Sequence, residues 1–501
     1  MRKGVLVRTR GFSIIEILMA MAIGAIVITG VILAAFGDQS TLTSTQLNVA
    51  AVSQASSLLE DQQSYSRKDF NLINPTTTIM GDLQRAVTVS LLSDFVTKLI
   101  TVRAWNPLNP AVDTRYSTLV TNLENVEAPD TCNSTPSGDW SAPNFTSVSL
   151  ATLLSTTTGA YPITDIDVYR GKLYVSVSAT TYRTDPTLLI IDVADSSHPA
   201  FLGAIDNAST TSGLAGIRIG ENHVNGKLYA YGANAGSFTK GQLQIFDVTT
   251  PMTPSHVKTF KISTTYVPSA GNGNSIFFRD GYVYLGLTTA AGIMEFNIID
   301  VRDVTAPVWK GGYSIGNSIE AILVKGKYAY LATDDMSRDL LMFDITDPMN
   351  PHIGGAYDAP GSGGGFGRRI AVVGDTVYFG RTWVLNAGTP EFHVLRASNP
   401  MTNPTLLGNR DIGTTSPASY GVYGILARDS DAFILTKAGT GGRLLVLDSR
   451  NPSALSSESP ISSTLLPNAT GGAAMDCENN TLYIGSNDAS DNGYISIVTP
   501  S

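Results

Sequence analysis

The chain has 501 residues, a formal charge of −9, 47 Gly, 24 Pro and only 15% charged side chains. This length exceeds one average domain, and abundant Gly and Pro with few charges suit a β-rich protein outside the cytoplasm. The acidic balance excludes nucleic acid or an anionic surface as a general partner.

Residues 8 to 40 read RTRGFSIIEILMAMAIGAIVITGVILAAFGDQS. Twenty uncharged, mostly apolar residues run from Ile17 to Phe36, enough for a helix to cross a hydrocarbon core of about 30 Å. Arg2, Lys3, Arg8 and Arg10 precede the run, so that end stays cytoplasmic and the remainder lies outside. Glu16 opens the apolar run, and an unpaired carboxylate near a bilayer centre costs about 2.5 to 3.5 kcal/mol, less toward a helix end. A secretory signal cut near Ala35 to Gly37 would also be basic and then apolar, but its core is usually about 7 to 15 residues and carries no acid. A plain membrane anchor leaves Glu16 unexplained.

The string GFSIIE after a short basic leader resembles the class III signal of type IV pilins and type II secretion pseudopilins. The resemblance implies a leader of residues 1–11, cut by a prepilin peptidase between Gly11 and Phe12, and N-methylation of Phe12. It implies that Glu16 pairs with the terminal ammonium of a neighbouring pilin or pseudopilin subunit, so that its charge is compensated on assembly. The precursor would sit in the inner membrane through residues 12–36, and without its basic leader the chain is more acidic still.

From Asp38 to Ser66 the sequence has no Pro or internal Gly, and Leu42, Val49, Val52, Leu58 and Leu59 mark an amphipathic continuation of the helix, giving a pilin helix over 12–66. VTKLITVRAW (96–105) and RYSTLVTNL (115–123) read as strands around an Asn- and Pro-rich turn. Residues 67–126 thus resemble a reduced pilin globular region with a small β-hairpin. EAPDTCNSTPSGDWSAPN (127–144) has turn formers without periodicity, so 127–142 reads as a linker.

Beyond it an internal repeat appears. GKLYVSV at Gly171, GKLYAYG at Gly226, GYVYLGL at Gly281, GKYAYLA at Gly326 and GDTVYFG at Gly374 are followed by weaker copies at Ser430 and Asn480. Their starts are 55, 55, 45, 48, 56 and 50 residues apart. Six of these copies are followed by a second apolar strand, such as LLIIDVADSSHP, LQIFDVTTPMTP and LLMFDITDPMNP. About four strands in roughly 50 residues is the content of a β-propeller blade. The Asp, apolar, polar, Asp or Asn, Pro string resembles LVIVD-type repeats of surface propellers, and the units fit a closed seven-bladed ring over 143–501. The expected fold class is mainly β: a long N-terminal transmembrane pilin helix, a small pilin-like hairpin region and a seven-bladed β-propeller.

The last unit stops after its third strand, and PNFTSVSLATL (143–153) resembles the fourth strands PAFLGAID and PHIGGAYD, so it is expected to close the ring and remove an exposed edge. Cys132 and Cys477 either form a disulfide fastening that closure or remain two free thiols.

No catalytic constellation emerges, and an enzyme is not expected. Asp192, Asp247, Asp300, Asp344 and Asp448 recur once per unit before a Pro-containing turn, where Asp accepts backbone hydrogen bonds, and Arg396 breaks the series. The five His show no metal spacing. Asp488, Ser490, Asn492 and Gly493 follow the spacing of a calcium loop, but Thr499 stands where a bidentate Glu is required, so the segment reads as a turn. GSGGGFGRRI (361–370) lacks the Lys-Ser/Thr ending of a phosphate loop; Arg368 and Arg369 are instead expected at one mouth of the propeller channel, as a solvated rim or with one of them binding an anionic ligand. No metal and no cofactor is implied. The expected role is a minor filament subunit displaying a propeller to an extracellular ligand, protein or glycan, for adhesion. A type II secretion pseudopilin and a membrane-anchored propeller enzyme or binding module stay open as alternatives.

Overall fold

A computed structural model describes residues 42–68, 75–80, 83–91, 97–121, 132 and 136–501, apart from 156–159, 179–185, 206–212, 223, 237–240, 268–270, 361–364, 383–388, 413–420, 429, 438–440 and 468–470. Gly11, Phe12, Glu16 and the apolar run lie outside the described residues, among which no helix is long and apolar enough to cross a membrane. The chain divides into two compact units, Met1–Val126 and Glu127–Ser501.

In the first unit, helix α1 (Leu42–Lys68) buries Ala51, Ala55 and Leu59, four residues apart on one face. The two alanines let the backbone approach a sheet whose covered face carries Leu83, Val87, Ile100, Val102, Ala104 and Val112. That sheet corrects the expected hairpin. It is a four-stranded antiparallel meander of β1 (Thr76–Met80), β2 (Leu83–Leu91), β3 (Thr97–Asn106) and β4 (Asn109–Thr121), in that order. The helix α1 packs on β2, β3 and β4.

The second unit is built of four-stranded antiparallel sets. It begins with β5 (Asn144–Ser149) and a short helical turn, α2 (Leu150–Leu153). Strands β6–β9 span Ile163–Tyr169, Lys172–Val177, Leu188–Asp192 and Ala200–Ile205. Strands β10–β13 span Leu214–Asn222, Lys227–Asn234, Leu243–Asp247 and Ser255–Phe260. Next come β14–β17 at Gly273–Arg279, Tyr282–Leu287, Phe296–Asp300 and Val308–Tyr313. The β18–β21 set occupies Ile319–Lys325, Tyr328–Thr333, Leu340–Asp344 and His352–Tyr357. It is followed by β22–β25 at Gly367–Val373, Thr376–Arg381, Phe392–Arg396 and Thr405–Arg410. Then β26–β29 lie at Gly421–Ala427, Asp431–Lys437, Arg443–Asp448 and Ser462–Leu465, and β30–β32 at Gly471–Glu478, Thr481–Asn487 and Gly493–Thr499.

Each set pairs in chain order, and β5 lies beside β32 as the fourth strand of the last set, with Asn144 opposite Thr499 and Ser149 opposite Tyr494. The first strands of successive sets lie side by side, β6 with β10, β14, β18, β22, β26 and β30 in turn, and β30 returns to β6. The sets therefore follow one another in a propeller-like arrangement with their first strands innermost. The second and third strands are buried on both faces, as in Leu173 to Val177 and Leu188 to Ile191, which is why they read as unbroken apolar runs.

The stretch expected as a linker is instead part of this unit from Cys132 onward. Trp140 is buried in a cluster with Phe433, Leu435, Leu444, Leu482 and Val498, edge-on to Phe433 at 4.8 Å. Ser501 N–H donates to the Asp139 carbonyl at 3.0 Å, and Asn480 Nδ2 to that of Ser137 at 2.8 Å. Apolar burial of one indole outweighs the loop-like composition around it.

Candidate functional site

A β-bulge recurs near the start of every innermost strand. The register to the second strand slips between Ile163 and Asp165, Leu214 and Gly216, Gly273 and Ser275, and Ile319 and Ala321. It slips again between Gly367 and Arg369, Val422 and Gly424, and Gly472 and Ala474. Each bulge inserts one extra residue and re-aims the side chains beside it. Thr164, Ala215, Asn274, Glu320, Arg368, Tyr423 and Ala473 are those extra residues, at one level of the ring.

Polar contacts run from bulge to bulge. Asn274 Nδ2 donates to Glu320 Oε1 at 3.1 Å, Glu320 pairs with Arg368, and the Arg368 guanidinium stands 5.0 Å from the centre of the Tyr423 ring. Arg369 reaches further. Its Nη1 donates to the Arg368 carbonyl at 3.0 Å, its Nε to that of Tyr423 at 2.9 Å, and its Nη2 to that of Ala473 at 3.2 Å. One guanidinium therefore ties together the bulges of β22, β26 and β30. Burial, with Arg368 beside it, lowers its pKa to about 10. Arg368 and Arg369, expected as a solvated rim, are only partly exposed and are tied into the innermost strands.

A second group lies where the last set meets the first two. Arg218 Nη1 donates to Asp165 Oδ2 at 2.8 Å. The Ile219 N–H donates to Asp167 at 2.5 Å, and Asp476 accepts from Val168 N–H at 2.6 Å and Cys477 N–H at 2.8 Å. Burial first, and then the Asp476 charge, push the Asp167 carboxyl well above the usual range, and the two side chains share a hydrogen bond. No signal in the sequence marks this convergence, because Asp167, Arg218 and Asp476 lie on three strands far apart in the chain.

Cys132 and Cys477 form a disulfide with Cα atoms 5.2 Å apart, and Cys132 also bridges Asn479 in parallel register. The bond fastens the segment before β5 to the last set, and Glu478 accepts the Gly171 N–H at 2.8 Å across the same junction.

The recurring acids are absorbed by turns. Asp192, Asp247, Asp300, Asp344 and Asp448 each accept the N–H two residues on, at 2.8 to 3.1 Å. Asp488 accepts from Ser490 and Asn492 N–H at 2.8 and 2.9 Å, capping its own turn. A buried polar group precedes the third strand in several sets, where Gln242, Glu295, Asp339 and Glu391 accept main-chain N–H of Ile262, Ile315, Ala359 and Ile412. His393 is buried between Tyr357 and the Pro390 carbonyl, and burial lowers its pKa to about 4.

Comparison with known families finds the prokaryotic N-terminal methylation motif at residues 7–32 and LVIVD repeats at 181–207 and 318–359. The first match contains Gly11, Phe12 and Glu16; the others cover β8–β9 and β18–β21. No curated protein matches the chain. Among solved structures, the computationally designed Ika8 protein is 11% identical, covering 68% of this chain and 97% of its own at a TM-score of 0.41. A chain of the Mitotic Checkpoint Complex is 13% identical over 74% of this chain and 93% of its own, at 0.45. Sqt1 of Saccharomyces cerevisiae is 9% identical over 65% of this chain and 80% of its own, at 0.44. The protein thus joins a prepilin-type methylation motif, which implies prepilin peptidase processing and assembly with pilin subunits, to LVIVD repeats in a propeller-like β unit.

Proposed function

We propose that the protein is a minor pilin-like filament subunit whose seven-bladed propeller is displayed outside the cell for adhesion to a protein or glycan. The observation that carries this reading is the presence, in one chain, of the methylation motif at 7–32 and the ring of four-stranded sets between β5 and β32. A unit of residues 127–501 is bulky beside a filament helix, which favours a minor or tip position over the main shaft subunit. The ring reads as a binding module and not as an enzyme, since its repeated acids are engaged in turn hydrogen bonds. The same motif serves type II secretion pseudopilins, and in that case the mature chain would remain in the periplasm.

The test is mass spectrometry of the N-terminal peptide from surface and membrane fractions of cells with and without prepilin peptidase. The expected peptide begins at N-methylated Phe12 and is missing without the peptidase. A terminus at Met1, or just after Gly37, would overturn the filament reading.

A further inference from the structure

Although the chain is acidic overall, three cations gather around Tyr423 of the innermost strand β26. Arg368 and Arg369 are consecutive in β22, and β27 brings the Lys437 ammonium to 5.5 Å from the centre of the same Tyr423 ring that Arg368 covers. Glu320 is the one carboxylate hydrogen-bonded to any of the three among the described residues. Two like charges at adjacent positions would normally diverge to opposite faces of a strand. The bulge between Gly367 and Arg369 interrupts that alternation.

Arg369 is the unusual member. Its hydrogen bonds go to three carbonyl oxygens, of Arg368, Tyr423 and Ala473. Carbonyl dipoles fix the orientation of a guanidinium but leave its net charge in place, and a partly buried charge is costly until an opposite charge meets it. A guanidinium has five N–H donors in a planar fork, so two remain. Asp165 and Glu320 influence Arg369 from a distance, but each is already hydrogen-bonded to another arginine, Arg218 and Arg368 respectively. The side chain is held, oriented and still partly exposed.

We propose that this corner of the ring binds a carboxylate, taken by the remaining donors of Arg369, with Arg368 and Lys437 supplying flanking charge. A planar guanidinium fork matches the two oxygens of a carboxylate bidentately. The carboxylate is that of a free acidic sugar or of an acidic side chain presented by a partner. The inference rests on the reading of the ring as a binding module and names what that module takes.

The test titrates the full chain in detergent micelles with glucuronate and N-acetylglutamate, and with their neutral counterparts glucose and N-acetylglutamine. At least one carboxylate should bind more tightly than its neutral counterpart, more weakly as salt rises, and the pair that discriminates identifies the source. Arg369→Gln should weaken binding at least about 30-fold. Because Arg369 also ties three strands, Lys437→Gln serves as the second variant: it leaves those bonds intact and should weaken binding about threefold. Equal affinity for charged and neutral members of both pairs, or unchanged affinity in the two variants, would overturn the site. Binding is read here without a filament, so that result would not touch the N-terminal mass that tests the filament reading.

Discussion

Gly203, in the outermost strand of the first set, sits so close to the Pro251 carbonyl that a Cβ added there would collide with the oxygen. The relationship recurs: Gly311 meets Pro348, Gly354 meets Pro400 and Gly408 meets Pro452. In each case the Pro-containing turn of one set is seated on the outer strand of the set before it. The glycine of strings such as FLGAI and LLGNR is thus a docking position for the next repeat.

Gly203→Ala and Gly408→Ala should each destabilise the protein by about 1 to 3 kcal/mol, because a backbone carbonyl must move to make room. Gly226→Ala provides a contrast. Gly226 has φ +67 and nothing within 4 Å of an added Cβ, so its cost is the left-handed backbone alone, about 1 kcal/mol. Urea unfolding midpoints of the three variants check the ordering; a larger loss at Gly226 than at Gly203 would contradict it.

Reduction should act on the ring junction. The Cys132–Cys477 disulfide closes a loop with a sequence separation of 345 residues, and a bond over so long a loop contributes about 2 to 4 kcal/mol through the unfolded chain. Dithiothreitol should therefore lower the unfolding temperature of the wild type and leave that of a Cys132→Ser, Cys477→Ser double variant unchanged. Equal temperatures for oxidised and reduced wild type would show that Trp140 and the β5 pairing hold the junction unaided.

Glu16 lies within the methylation motif at the start of the apolar run. Glu16→Leu removes a carboxylate that is unfavourable in a bilayer, so the precursor should insert at least as well. It should still be cut after Gly11 but enter filaments far less, if Glu16 pairs with a neighbouring terminus as the resemblance to pilins implies. Immunoblots of sheared filaments against membranes measure the partition, and unchanged incorporation would remove Glu16 from assembly.

The repeat was legible because its second and third strands are buried on both faces and five of the third strands end at Asp. Residues 143–153 resemble the fourth strands, and β5 occupies Asn144–Ser149 within them. The strands β1 and β2 were not legible. Leu83 and Val87 are the buried residues of β2 and stand four apart, a spacing that mimics a helix, while the described side chains of β1 are exposed. The bulges leave no mark in composition, since a register slip exists only relative to a partner strand. For that reason Arg368 and Arg369 could be singled out as a pair, but the carbonyls of Tyr423 and Ala473 that hold Arg369 could not.

Two of the buried carboxyls with raised pKa values, Asp339 and Glu391, contribute to the pH dependence of the propeller-like unit. Asp339 accepts the Ala359 N–H at 2.8 Å and has Arg381 at 3.5 Å, yet burial outweighs both and raises its pKa to about 6. Glu391 is buried beside the Ile412 N–H, and burial raises its pKa to about 7. In the unfolded chain these groups titrate near about 3.9 and 4.3. Between those values and 6 or 7 the folded state holds protons that the unfolded state has released, so stability falls as pH rises through the window and levels off above it. The loss is on the order of 3 to 4 kcal/mol for each group. Asp113 in the first unit has the opposite sign: its hydrogen bonds from Arg103 and Arg115 lower its pKa to about 2, so its contribution is lost only as pH falls below about 4. Glu391→Gln combined with Asp339→Asn should flatten the decline between pH 4 and 7 while leaving the acid limb of the first unit in place. Unfolding free energies measured from pH 3 to 8 decide this, and a slope as steep in the double variant as in the wild type would place the titrating groups elsewhere.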